Sequence, residues 1–147
     1  ARIRSVPMLK HLAILACLIL PTAVTADRIF FRELIVIPVR PIDANSFEVI
    51  EADGAGGMQM WCAAGIFSRK VLGQRGGDLS IVQARGPSPA YPGRKSVIFT
   101  SLPVDNPTSS YSTNVRTAGL TFSMTHAYAQ CRSMLPERVV RVRVLTN

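Results

Sequence analysis

The cysteines are the residues of this sequence best suited to covalent chemistry, and two of them, Cys62 and Cys131, lie in its body. Cys62 follows a glycine-rich turn and comes directly after Trp61, so a reactive thiolate is one interpretation. A reactive cysteine needs a lowered pKa, commonly from a neighbouring base. The chain has no Cys-x-x-Cys spacing, and two cysteines with one histidine in the body, His126, make a poor zinc set. The pattern favours a structural pair of cysteines over a catalytic or metal-binding one.

Carboxylates offer a second kind of chemistry. Glu48, Glu51 and Asp53 lie close together in the sequence, which permits a two-carboxylate hydrolase. His126 is the one imidazole of the body that can act as a general base, and no Gly-x-Ser-x-Gly motif supplies a serine nucleophile. Because successive residues of a strand point to opposite faces, Glu48 and Glu51 are expected on different faces. We therefore assign no residue a catalytic role, and a hydrolase stays an alternative.

The glycine-rich segment 53–57 lies between a predicted strand and a predicted helix, where phosphate groups often bind. Gln59 stands where a dinucleotide-binding loop has its third glycine, and no Lys-Ser or Lys-Thr follows as in a P-loop. A tight turn explains these glycines as well. The sequence therefore predicts no cofactor, and an anion site at this turn is the alternative.

Basic residues gather in three parts of the chain: Arg69, Lys70 and Arg75; Arg85, Arg94 and Lys95; and Arg138, Arg141 and Arg143. Together with an aromatic residue in a loop, such cations are typical of a surface that binds an anionic partner, for example peptidoglycan, lipid headgroups or an acidic protein. The predicted binding surface consists of Arg85, Tyr91, Arg94, Lys95, Arg141 and Arg143. The alternative is a solvated face in which these cations pair with acids of neighbouring strands. No metal site is predicted.

Residues 1–26 have the three-part pattern of a secretory signal peptide. A basic lead with Lys10 precedes the apolar run 12–20, Pro21 ends that run, and small residues precede a cleavage point after Ala26. The apolar segment is shorter than the roughly 20 residues that a membrane-spanning helix needs. A start at Met8 gives a compact signal peptide, so residues 1–7 are candidates for sequence upstream of the true start.

Two other interpretations of this leader stay open. In the first, the signal peptide is not cleaved and anchors the protein as an accessory subunit in the membrane. In the second, Ile14-Leu15-Ala16-Cys17 is a lipobox whose cysteine is lipidated. The lipobox fits poorly, because the apolar run before Cys17 is short and apolar residues continue after it.

Cleavage after Ala26 leaves residues 27–147, which is one domain by length. It removes three basic residues and lowers the formal net charge from +8 to +5. In the periplasm or outside the cell, Cys62 and Cys131 are expected to form a disulfide, because these compartments are oxidising. Exported proteins rarely meet nucleic acid, so the positive charge points to the envelope and not to nucleic acid.

Hydrophobic periodicity predicts the elements of this domain. Pro38 is expected to end the first strand or restrict it to a sheet edge, and Thr125 is expected to cap the second helix. The proline-rich segment 85–95 is expected to be a long loop, and 103–114 a second irregular stretch. The strands are expected at 29–39, 47–52, 78–84, 96–102, 121–124 and 138–145, and the helices at 58–72 and 126–135.

This order predicts an α+β domain: a small, mostly antiparallel sheet with two helices on one face, joined by the disulfide. A β-rich sandwich is the alternative. With its short signal, its compact body and its two cysteines, one of them in the helical segment Trp61-Cys62-Ala63-Ala64, the chain resembles small uncharacterised exported proteins of Gram-negative bacteria. The resemblance is one of general make-up and implies no active site. The function we expect is non-enzymatic binding of a protein or an anionic envelope component.

Overall fold

The computed structural model of the protein describes residues 33–133 and 138–146. The predicted signal peptide at 1–26, with Met8 and Cys17, lies outside these residues. No helix within the described ranges is long and apolar enough to cross a membrane. The elements are β1 (Glu33–Pro41), β2 (Ser46–Ile50), α1 (Gly57–Lys70), β3 (Asp78–Pro87), β4 (Lys95–Thr100), β5 (Thr121–Ser123), α2 (Met124–Ser133) and β6 (Arg138–Val144).

The strands form one sheet in the order β5-β3-β4-β2-β1-β6. The pairs along β5-β3-β4-β2-β1 are antiparallel, whereas β6 runs parallel to β1. The sheet is therefore mixed: the α+β architecture agrees with the sequence prediction, and its mostly antiparallel character is confirmed in part. Parallel strands need a long crossover connection. Here the connection from β1 to β6 contains all the elements from β2 to α2.

One face of the sheet carries the core, because apolar residues alternate with polar ones along the strands. Phe47 and Val49 of β2 point to this face, as predicted, and Glu48 between them points to the other face. The Phe47 ring packs against Phe67 of α1, with ring centroids 4.6 Å apart. The core includes Ile35, Ile37, Val39, Phe47, Val49, Leu79, Ile81, Val97, Phe99 and Val140 of the strands and Met60, Trp61, Ala64, Phe67 and Ala127 of the helices.

The prediction that Pro38 ends β1 or places it at an edge is wrong, because β1 continues to Pro41 and lies between β2 and β6. The Val39 carbonyl accepts a hydrogen bond from the Leu145 N–H on the side of β6. By alternation, the Pro38 nitrogen points to the side of β2. There the ladder begins only at the Val39–Val49 pair, so the missing N–H of Pro38 leaves no ladder hydrogen bond unmade.

Two further expectations about boundaries need correction. The helix α2 begins at Met124, so Thr125 lies inside it, and the cap is Ser123, whose Oγ accepts a hydrogen bond from the His126 N–H at 3.1 Å. The proline-rich loop is also shorter than expected, because β3 extends to Pro87 and leaves only 88–94 irregular. The expected strand residues 29–32 and the expected helix end at 134–135 lie outside the described residues.

Trp61 joins the helix layer, the sheet and the second irregular stretch. Its ring is fully buried and lies edge-on to Phe99 and Phe122, with ring centroids 4.8 Å away in both cases. Its Nε1–H donates to the Asn114 carbonyl at 2.9 Å. A buried indole N–H needs such a partner, and this bond fixes the end of the segment 103–114 against α1.

The two helices are joined as the cysteine pairing predicts. Cys62 of α1 and Cys131 of α2 form a disulfide with a Cα–Cα distance of 4.9 Å. One turn further along α1, Gly65 lies against the backbone of Ala127 and Tyr128. A Cβ atom at Gly65 would lie 2.6 Å from the Tyr128 nitrogen and 2.7 Å from its Cα. The helices therefore touch backbone to backbone at this point.

We expect Gly65→Ala to destabilise the protein by about 1–3 kcal/mol, the usual range for overpacking. Alanine adds about 1 kcal/mol of helix propensity, but the atoms in its way belong to the backbone of α2 and cannot move without separating the helices. Denaturant unfolding measures the change. The control is Gly76→Ala, where a new Cβ atom meets open space. A Gly65→Ala protein as stable as the wild type would contradict the close contact.

Candidate functional site

Glu48 lies on the sheet face opposite the helices, where it is fully buried. Its directly opposite neighbour on β1 is Arg40, whose Nη2 lies 2.8 Å from Glu48 Oε2. Burial raises the pKa of Glu48, but the Ser88 hydrogen bond, the nearby Ser96 hydroxyl and Arg40 together lower it below 4.5. Ser96 is buried beside Glu48, and its Oγ has no hydrogen-bond partner among the described residues. The carboxylate is thus held ionised.

The loop between β3 and β4 is fastened to this carboxylate. The Ser88 hydroxyl donates to Glu48 Oε1 and accepts a hydrogen bond from the Tyr91 N–H at 3.0 Å. The Ser88 N–H in turn donates to the Arg94 carbonyl at 2.8 Å. Glu48 therefore closes a buried polar network that holds the proline-rich loop on the sheet, which is a structural role.

Glu51 follows Ile50, the last residue of β2, and its partners differ from those of Glu48. Arg85 binds it with two hydrogen bonds, Nε to Oε2 at 2.5 Å and Nη2 to Oε1 at 2.8 Å. Arg94 Nη2 donates to the Glu51 carbonyl at 2.8 Å. The hydrogen bond from Arg85 holds the pKa of Glu51 below its ordinary 4.5, and the charge of Lys95 adds to this.

The other candidates for acid–base chemistry also have partners of their own. Asp53 Oδ2 accepts a hydrogen bond from the Val36 N–H at 3.3 Å. The exposed His126 packs its ring against Phe122 and lies 3.1 Å from the Gln130 amide through its Nε2. Glu48 and Glu51 have different partners, because Glu48 binds Arg40 and Ser88 whereas Glu51 binds Arg85. The structure does not bring these groups together at one site.

We expect acid to weaken the folded state through Glu48 and Glu51. In the folded protein the pKa of each carboxyl is below 4.5, so their contribution is complete above that pH and is lost as the pH falls further. Urea unfolding at pH 7 and at pH 3.5 measures the loss. The Glu51→Gln variant should lose less stability over this interval than the wild type. An equal loss in both proteins would show that the Arg85–Glu51 pair contributes nothing to the pH dependence.

The structure divides the predicted binding surface between two places. The first place is around Glu51, which interacts with Arg85, Arg94 and Lys95. The half-buried Tyr91 lies in the loop that joins β3 to β4. The second place is β6, where Arg141 and Arg143 lie on the strand face opposite Val140 and Val142. In the sheet, β6 is three positions away from β4. That these residues bind a partner stays a prediction.

The glycine-rich turn has the backbone geometry of a tight turn, since Gly54 has a φ of +70°. At the start of α1, the Gly56 N–H donates to Gln59 Oε1 at 2.9 Å. A hollow of about 350 Å³ opens beside the turn, and its walls include Arg85 and Arg116. Because Nε and Nη2 of Arg85 bind Glu51, one of the two cations of this hollow already has an anionic partner.

A different group of cations lies on the outer side of the helices. We call the helix-layer cluster the residues Arg69, Lys70, Arg75, Tyr128 and Arg132. The Arg69 guanidinium stands over the Tyr128 ring, 4.2 Å from its centroid. None of the four cations forms an ion pair with a described residue.

Two adjoining hollows occur in the helix-layer cluster. The larger, of about 300 Å³, is lined by Arg69, Lys70, Arg75 and Tyr128. The smaller, of about 110 Å³, is lined by Arg69, Thr125, Tyr128, Ala129 and Arg132. None of the described residues that line the two hollows is acidic, so positive charge is concentrated at a concave surface.

Sequence reasoning found three of the five residues of this cluster. Arg69, Lys70 and Arg75 stand out as a basic group, but Tyr128 and Arg132 were not connected with them. Their spacing of four residues places them on one face of a helix, which is the signal that was available. That this face meets the end of α1 depends on the helix crossing at Gly65.

Groups of three or more His, Cys, Asp or Glu residues that could hold a metal ion do not occur in 33–133 and 138–146. Compared with known protein families, with curated proteins and with solved structures, the chain shows no match. The function is therefore argued from the geometry and charge of the chain itself.

Proposed function

We propose that the protein is an exported, non-enzymatic domain that binds an anionic component of the cell envelope through the helix-layer cluster. One observation carries this proposal: four cations line a concave surface to which the part of the chain described by the structure contributes no acid. Such a surface attracts anions and concentrates them.

Three arginines of the sheet differ from the cations of the helix-layer cluster, because each forms an ion pair within the protein. Arg40 pairs with Glu48, Arg85 with Glu51 and Arg138 with Glu33. Ion pairs with neighbouring residues account for these three arginines without any partner molecule. The cations of the helix-layer cluster have no such partner among the described residues, so they are available to an anionic ligand.

Export is consistent with this role. The disulfide between Cys62 and Cys131 is compatible with a periplasmic or extracellular location. The leader at 1–26 has the pattern of a signal peptide. In such a location the anionic surfaces are phosphate-bearing lipids and glycans, which suit a basic cluster.

The test is co-sedimentation of the protein, with its disulfide intact, with vesicles of phosphatidylglycerol and, separately, of phosphatidylcholine. We expect binding to the anionic vesicles alone, and weaker binding at high salt because salt screens exposed charges. Arg69→Ser/Arg75→Ser should lose most of this binding. Arg141→Ser/Arg143→Ser removes the same charge from β6 and should keep it.

Two outcomes would contradict the proposal. Equal binding to both kinds of vesicle would mean that apolar contacts, for example of the segment 12–26, hold the protein on lipid. Loss of binding in Arg141→Ser/Arg143→Ser, with retention in Arg69→Ser/Arg75→Ser, would place the anion-binding surface on β6.

A further inference from the structure

We propose that the larger hollow of the helix-layer cluster binds a phosphoryl group with at least two negative charges, as in a phosphate monoester or a diphosphate. This inference rests on the proposed function and names the chemical class of the ligand. Its basis is the convergence of Arg69, Lys70 and Arg75 with Tyr128 around one hollow of about 300 Å³.

The positive charge around this hollow favours a ligand with more than one negative charge. Arg69 and Lys70 lie in the last turn of α1, where the helix dipole contributes about half a negative charge. Two cations more than offset that dipole, and Arg75 adds a third positive charge to the larger hollow, whereas Arg132 lines the smaller hollow next to it. A single carboxylate would leave most of this charge unbalanced, whereas a phosphate monoester carries about −1.5 to −2.

The donors also match a phosphoryl group in geometry. Guanidinium groups bind phosphate oxygens through two parallel hydrogen bonds, and a lysine ammonium binds them as a point charge. Arg69, Arg75 and Lys70 therefore supply several donors to three or more oxygens. The volume of the hollow is far above the roughly 10–15 Å³ that one water needs, so one or two phosphoryl groups have room.

Tyr128 is a positioning residue for Arg69. The guanidinium carbon of Arg69 lies 4.2 Å from the ring centroid, and this cation–π contact holds the guanidinium next to both hollows, which Arg69 and Tyr128 line together. A cation held in place loses less conformational entropy when a ligand binds. The ring is what matters for this role, so Tyr128→Phe should keep the affinity and Tyr128→Leu should weaken it.

Calorimetric titration of the oxidised protein with inorganic pyrophosphate and with citrate, at equal ionic strength, tests the inference. Citrate carries a comparable charge on carboxylates alone. We expect pyrophosphate to bind about tenfold more tightly or better, since charge-assisted bonds to phosphate are strong and bidentate. Arg69→Gln/Arg75→Gln should lose this binding, and Arg141→Gln/Arg143→Gln should keep it.

A competition experiment distinguishes a phosphoryl group carried by a lipid from one carried by a soluble ligand. Displacement of pyrophosphate by vesicles with phosphatidic acid, but not by phosphatidylcholine vesicles, would identify a lipid-borne phosphate monoester. Absence of displacement, with pyrophosphate still bound at the cluster, would identify a soluble phosphoryl ligand. Both results support the chemical class.

Failure of the inference differs from failure of the proposed function. Citrate binding as tightly as pyrophosphate, or phosphatidylglycerol vesicles binding while pyrophosphate does not, would overturn the phosphoryl site and leave anion binding standing. Absence of binding to vesicles and to both small anions would overturn the two proposals together.

Discussion

Removal of the Cys62–Cys131 disulfide is expected to lower the free energy of unfolding by about 4 kcal/mol, the value that loop entropy gives for a closed loop of this size. The bond joins residues separated by 69 positions, and the loop between them contains β3, β4 and β5. Without the bond the unfolded chain gains conformational freedom over half of the domain. This loss is large beside the roughly 5–15 kcal/mol of a typical domain.

Urea unfolding of Cys62→Ala and Cys131→Ala measures this effect, with the oxidised wild-type protein as the reference. Both variants break the same covalent loop, so we expect similar losses. Alanine avoids placing a hydroxyl at the fully buried position of Cys62. A loss below about 1 kcal/mol, far under the loop-entropy value, would show that the packing of α1 on α2 suffices by itself.

Removal of Arg40 is expected to destabilise the protein by about 3 kcal/mol or more, the usual cost of leaving one partner of a buried ion pair behind. Glu48 is fully buried, and Arg40 is its only partner of opposite charge at ion-pair distance among the described residues. In Arg40→Met the ionised carboxylate keeps only uncharged partners close by, the hydroxyl groups of Ser88 and Ser96.

The double variant Arg40→Met/Glu48→Leu identifies the cause. With both charges removed, an apolar pair can pack on this face, so the double variant should recover much of the stability. Arg138→Met is the matched control, because its pair with Glu33 is exposed by about half and should contribute less than about 1 kcal/mol. A double variant no more stable than Arg40→Met would contradict the buried charge as the cause.

Local patterns in the sequence predicted much of this fold correctly. Alternation of Phe47 and Val49 with Glu48 predicted β2 and its buried face, and the same period in Val140 and Val142 predicted β6. The apolar spacing of α1 and the glycines around it predicted the first helix within two residues at each end. The cysteine pair required only the count of thiols and the prediction of a signal peptide.

Contacts between distant segments could not be read in the same way. Nothing in β6 alone indicates that it pairs in parallel with β1, and this pairing decides that Pro38 lies inside the sheet. The buried Arg40–Glu48 pair depends on the β1–β2 register and on Ser88 of a distant loop. The candidate site has the same limit, since Arg69 and Tyr128 meet only through the close approach at Gly65.

The most direct test of the central claim is two-dimensional NMR of the labelled, oxidised protein during titration with pyrophosphate and, separately, with citrate. If the helix-layer cluster is the anion site, the largest shifts will occur at Arg69, Lys70, Arg75, Tyr128 and Arg132. Shifts concentrated at Arg141 and Arg143, or none with either anion, would contradict it.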